Sequence, residues 1–173
     1  MIHHKLILIP IMETVTDATY PIVVKCGARS TRVLFAVIQG VIMSGVLIVE
    51  NDEKFRRRLK SFLSMRFPSV DFEEAADGKE ALGKINTFRP AVVFMDIRLP
   101  GETGLELAEK IKELLPAISI AILTTYDFPE YRDAAYQKGA DAFLVKGRVK
   151  MVEIAKLLDS VLTRKSALAG IND

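Results

Sequence analysis

The chain has 173 residues, half of them hydrophobic, a formal net charge of +2 and one cysteine, Cys26. That is enough apolar material for the core of one ordinary domain with extensions, and a lone cysteine excludes an internal disulfide framework and suits a reducing cytoplasm. Residues 1–45 carry four Lys/Arg against two Asp/Glu and residues 46–173 carry twenty of each, so no dense basic face argues for nucleic-acid binding.

The predicted elements alternate from Val46 onward. Val46-Leu47-Ile48-Val49 reads as a buried strand ending at Glu50. A helix follows with Phe55, Leu59, Phe62 and Leu63 on one face, and the Arg56-Arg57-Arg58 run fans round it as a solvated face. Val70 to Glu73 is a weaker, alternating strand placed near a sheet edge. Asp77 with Glu80 forms a capping-box pattern that opens a helix through Ala81, Leu82, Ile85 and Phe88. Ala91 to Met95 is an uncharged apolar strand, and Ile97-Arg98-Leu99-Pro100-Gly101 stops it directly after Asp96. Thr103 with Glu106 repeats the capping box, and that helix turns Leu105, Ala108, Ile111 and Leu115 inward until Pro116. Ile118 to Leu123 is the fourth strand. Pro129 suits the first turn of a short helix ending at Gly139, Ala142 to Val145 is the fifth strand, and a last helix spans about 149–162.

Strict alternation with short loops predicts an α/β fold, a doubly wound parallel sheet with helices on both faces. Ligands bind such sheets beyond the C-terminal strand ends. Those ends carry Glu50-Asn51-Asp52, Asp96, Thr124-Thr125 and Lys146, so acids, an amide, hydroxyls and an ammonium converge on one crevice. A carboxylate directly behind a buried strand is costly unless solvated, paired or metal-bound. In isolation Asp96 would be a solvated strand end, Lys146 a surface lysine, Thr124 a strand cap and Phe143 a core aromatic; their joint placement favours a site.

Four segments in this order resemble the receiver domain of bacterial two-component response regulators: Val46 to Asp52, Met95 to Gly101 with its trailing Gly104, Leu123 to Asp127, and Gly139 to Lys146. The resemblance covers roughly residues 45–163. It implies a flavodoxin-like five-stranded sheet in the order 2-1-3-4-5. Asp96 would be the phosphoacceptor, taking a phosphoryl group from a sensor histidine kinase or a histidine phosphotransfer protein. Glu50, Asn51, Asp96 and the Arg98 backbone carbonyl would hold Mg²⁺, with Asp52 as an added ligand. Thr124 and Lys146 would contact phosphoryl oxygens, and Phe143 would be the aromatic switch. Such a chain catalyses only its own phosphorylation and dephosphorylation. Helix 4, strand 5 and helix 5 form a homodimer face in many relatives.

Three departures stand out. Asn51 occupies a position where the family usually has a metal-binding Asp, so the pocket loses a charge. Gly147 follows Lys146 where many receivers have a cis proline, and a trans bond is expected, since a non-proline cis bond costs about 2.5–4 kcal/mol. Arg98 sits two residues past Asp96, where a cation would either hold the acyl phosphate or screen it from water. Asn51 and Gly147 keep a degenerate, phosphorylation-independent binding module as an alternative. A haloacid dehalogenase-type phosphatase would need an acid at position 98, and a flavin module would need a phosphate-cradling loop where Glu50-Asn51-Asp52 stands.

Residues 1–44 read as an upstream extension, poorly ordered or outside the natural start at Met43-Ser44-Gly45. The uncharged run 33–49 is rejected as a membrane span because the first strand belongs to the core, and no secretory signal is convincing. Residues 164–173 read as a short tail. The expectation is a stand-alone cytoplasmic receiver that itself binds neither nucleic acid nor membrane; a truncated DNA-binding transcription regulator is the alternative.

Overall fold

The computed structural model of the chain describes residues 45–168; the readings made for residues 1–44 and 169–173 lie outside them. Strands and helices alternate: β1 Val46–Val49, α1 Glu53–Arg66, β2 Phe72–Ala75, α2 Gly78–Phe88, β3 Val92–Met95, α3 Gly104–Leu114, β4 Ser119–Thr124, α4 Pro129–Gln137, β5 Ala142–Val145 and α5 Met151–Leu168. The five strands are parallel in the order β2-β1-β3-β4-β5, as expected.

Side chains alternate across a strand, so each strand feeds two cores. Leu47, Val49, Val93, Met95, Ile120 and Ile122 face α2, α3 and α4, meeting Ile85, Leu107, Ile111 and Ala135. Val46, Ile48, Val92, Phe94, Ala121 and Leu123 face α1 and α5, meeting Leu59, Leu63, Ile154 and Leu158. Every side chain of β1 and β3 is buried. At about 1.5–3 kcal/mol for each fully buried aliphatic side chain, that centre is stable enough to carry charged groups at its end.

Several predicted boundaries move. β2 begins two residues later than expected, because a turn after Phe67, closed by the Val70 N–H to the Phe67 carbonyl at 3.1 Å, absorbs Val70. Leu107, absent from the predicted stripe of α3, is fully buried, whereas Leu105 and Leu115 are half-buried at its margin. The Thr103–Glu106 capping box is complete, but Glu80 receives the Ala76 N–H, so Asp77 caps α2 from one side only. α5 runs six residues beyond its predicted end and takes in much of the predicted tail. Lys165 ties its last turns to the Ala117 carbonyl at 2.6 Å. Among the described residues no helix is long and apolar enough to cross a membrane.

Candidate functional site

The two central strands set the site. Past the end of β1, the Glu50 N–H continues the ladder to the Ala75 carbonyl at 2.9 Å; past β3, the Asp96 N–H reaches the Val49 carbonyl at 3.0 Å. Both acids therefore leave the sheet on fixed backbone. Gly104, opening α3, lies against Asp96 so closely that a Cβ there would come within 2.0 Å of the Asp96 carbonyl oxygen. No other residue fits without shifting the backbone under Asp96.

Lys146, just past β5, reaches across the crevice. Its ammonium donates to Asp96 Oδ2 at 2.7 Å and also to Glu50 Oε2, and both acids are buried. Glu50 Oε1 takes the Asp52 N–H at 3.0 Å. Burial pushes the Glu50 carboxyl above its ordinary value, against the hydrogen bonds from Lys146 and Asp52 that favour the charged form. Asp96 Oδ1 has only a long approach, 3.5 Å, from the Arg98 N–H. Thr124 is completely buried at the end of β4, its hydroxyl 3.4 Å from the Tyr126 N–H.

The other predicted site residues are placed one by one around this cluster. Asn51 is exposed beside Glu50. Asp52 has Oδ1 committed to the cap of α1, accepting from the Lys54 and Phe55 N–H groups at 2.9 and 3.1 Å. Arg98 turns its guanidinium to the Tyr126 hydroxyl at 2.5 Å and over that ring at 5.7 Å. It thus forms one wall of an open groove of about 580 Å³ that Leu99, Glu102, Thr103 and Tyr131 also line. Phe143 is buried in the core shared with Ile122, and the Arg132 guanidinium lies 4.6 Å from its ring centre. The ring is already inward. The Lys146–Gly147 bond is trans, and Gly147 turns the chain at φ +85°.

Sequence reasoning missed three contributors. Arg56 is no solvated arginine: its side chain is 15% exposed, ion-paired to Glu74 at 3.5 Å, and donates to the Glu50 carbonyl. Phe55 was read only as core, yet its ring centre lies 4.6 Å from the Lys146 ammonium. Tyr126 was read only as part of a motif. One signal for the first two was available, since both sit in the helical turn directly after Glu50.

The donor set suits a hard divalent cation. Glu50 Oε2 and Asp96 Oδ2 already converge on one positive group, the Lys146 ammonium, and Asn51, exposed and next in the chain after Glu50, carries an amide oxygen. Mg²⁺ typically uses one or two carboxylates and retains several waters. Among the described residues no three acidic, His or Cys side chains cluster as metal ligands.

Comparison with known proteins agrees with this layout. A family model described as response regulator receiver domain matches residues 46–159. The transcriptional regulatory protein DesR of Bacillus subtilis is 31% identical over 127 residues, covering 73% of this chain and 62% of DesR. The DNA-binding transcriptional activator DevR/DosR of Mycobacterium tuberculosis is 32% identical over 127 residues, covering 73% of this chain and 58% of its own length. The chain thus spans roughly half to three-fifths of the curated relatives it matches. Among solved structures, a CheY-like receiver domain protein from Methanospirillum hungatei JF-1 aligns with TM-score 0.66 at 28% identity, covering 72% of this chain and 98% of that one. A LuxR-family DNA-binding response regulator from Staphylococcus aureus gives TM-score 0.64 at 26% identity, covering 69% and 98%. With the family model spanning most of the described residues and the sheet order the same as that expected from the motifs, the chain belongs to the response regulator receiver domain family.

Proposed function

We propose that this receiver accepts a phosphoryl group on Asp96 from a phosphohistidine of a sensor kinase or phosphotransfer protein, in a Mg²⁺-dependent reaction in the cytoplasm. The observation that carries this reading is the buried pairing of one ammonium, Lys146, with two carboxylates, Glu50 and Asp96, beside the buried hydroxyl of Thr124. Asp96 attacks phosphorus through a carboxylate oxygen; the O–P bond forms as the P–N bond breaks, and the imidazole leaves with the electron pair. An anionic nucleophile approaching an anionic phosphoryl group needs its developing charge neutralised. Lys146, with two of its three N–H groups on Glu50 and Asp96, keeps one for a phosphoryl oxygen; Thr124 supplies a hydroxyl. Glu50, Asn51, Asp96 and the Arg98 carbonyl would hold Mg²⁺, which would supply further positive charge there. Arg98, drawn to Tyr126 in the neighbouring groove, is the cation two residues from Asp96 that bears on how long the acyl phosphate lasts.

The new charge and its acceptor oxygens bias the surroundings of Thr124 and Phe143, and the face of α4, β5 and α5 carries the change to a partner or a second copy. Relatives named as transcriptional regulators support an output coupled to gene expression. A second reading, a binding module that needs no phosphorylation, is favoured by one observation: Lys146 already satisfies both carboxylates, and Asn51 adds no charge to attract a metal.

Intact mass after incubation with acetyl phosphate, with and without Mg²⁺, separates the two. A Mg²⁺-dependent gain of one phosphoryl group by the wild type and none by Asp96→Asn is the expected result. Equal labelling of Asp96→Asn would count against Asp96 as acceptor, and no labelling of either protein would favour the binding module.

A further inference from the structure

Lys146 has a long, flexible side chain, and two carboxylates alone fix only its charged end. A third group meets that end. The Phe55 ring, half-buried on α1, lies with its centre 4.6 Å from the Lys146 nitrogen. The ring is itself held in place: the Phe55 N–H donates to the Asp52 cap at 3.1 Å, and the next residue, Arg56, is bonded to the Glu50 carbonyl. The first turn of α1 is therefore fastened to the same strand end as the acid that Lys146 pairs with. An aromatic face attracts an ammonium through its quadrupole, more strongly when water is excluded. It does so without adding a negative charge to a crevice that already holds two carboxylates.

We propose that Phe55 is a positioning residue for Lys146, its ring face holding the ammonium between Glu50 and Asp96. The assignment of that ammonium to phosphoryl contact rests on the function proposed above; the placement of the ammonium by the ring does not. An aliphatic residue at position 55 would fill the same core space yet leave the ammonium free to swing toward solvent. A tyrosine would keep the ring face.

The experiment compares wild type, Phe55→Leu and Phe55→Tyr by NMR of the lysine side-chain methylenes, without Mg²⁺ or phosphodonor. The Lys146 signals are assigned by their disappearance in Lys146→Met. In the wild type they are expected upfield of exposed lysines because of the ring current. Phe55→Leu should return them to the exposed position, and Phe55→Tyr should keep them shifted. Acetyl phosphate labelling with Mg²⁺ should then slow on the order of tenfold in Phe55→Leu and recover in Phe55→Tyr. Unshifted Lys146 signals in the wild type overturn the proposal, as do signals that stay shifted in Phe55→Leu. Where the wild type is labelled, an equal rate in a folded Phe55→Leu overturns the positioning role in the reaction, and Phe55→Met serves if the leucine variant fails to fold. A wild type that shows the shift but takes no phosphoryl group would remove the phosphoacceptor reading and leave the placement of Lys146 by Phe55 standing.

Discussion

Two clusters of carboxylates and cations lie on this sheet and differ in surroundings. In the crevice, Lys146, Glu50 and Asp96 have side chains 10%, 3% and 9% exposed. At the β2 edge, Glu73, Glu74 and Glu80 meet Lys60, Lys84 and Arg56, most of them in contact with water. The edge is balanced, three acids to three bases. The crevice holds two acids to one base, so it keeps a net negative charge in a place where charge is poorly solvated. Balance with solvation makes the edge a sheet-edge guard, which also covers the Glu74 carbonyl with Lys84. Imbalance without solvation makes the crevice a place that gains from another cation.

The largest difference between the clusters should appear on removing a single cation. Lys146→Met leaves two buried carboxylates facing each other, and with EDTA present it should lower folding stability by about 3 kcal/mol, as loss of one partner from a buried pair does. Chemical denaturation measures it. A loss near zero would mean that the crevice is better solvated than its burial indicates.

A pH scan should give opposite signs in the two regions. Burial raises Glu50 above its ordinary value, so the folded chain holds that proton to higher pH than the unfolded chain does. Its contribution is full below the ordinary carboxylate range and is lost as pH rises through the raised value. Stability of the wild type minus that of Glu50→Gln should therefore fall with rising pH in that window. Glu80 is the reverse: the Ala76 N–H and Lys84 hold it below its ordinary value. Its contribution is present above the ordinary value and is lost as pH falls, so wild type minus Glu80→Gln should rise with pH there. Two difference curves of the same sign would sink the contrast.

How much of this was legible in sequence follows the same division. The alternation of elements and the placing of Glu50, Asp96, Thr124 and Lys146 at strand ends were readable because each follows a short apolar run with a definite end, whereas the strand order came from the resemblance of four motifs to a family and not from any run by itself. Leu107 escaped because the stripe on α3 is wide enough for two choices of inward face, and only packing selects one. Arg56 escaped because three consecutive arginines look alike, although one turns back to the Glu50 carbonyl while Arg57 pairs with Glu53 in solvent. The reading of Phe143 as an aromatic switch was a statement about two states, and pattern carries no information on which is occupied; the ring is buried, with the Arg132 guanidinium against it.

The smallest expected effect is at the edge, and its salt dependence is the sharpest separator. Glu74 pairs at 2.8 Å with Lys60, which is open to water, and more loosely at 3.5 Å with the largely covered Arg56. Glu74→Gln keeps the shape and should cost less than about 1 kcal/mol at low salt, because exposed pairs gain little over solvation. At about 1 M salt the Debye length shrinks to about 3 Å, and the cost should vanish. The Lys146→Met loss should survive the same salt, since ions cannot enter between Lys146 and its two acids. If both losses disappear together in salt, the crevice is electrostatically part of the surface, and its net negative charge draws no cation more strongly than the edge does.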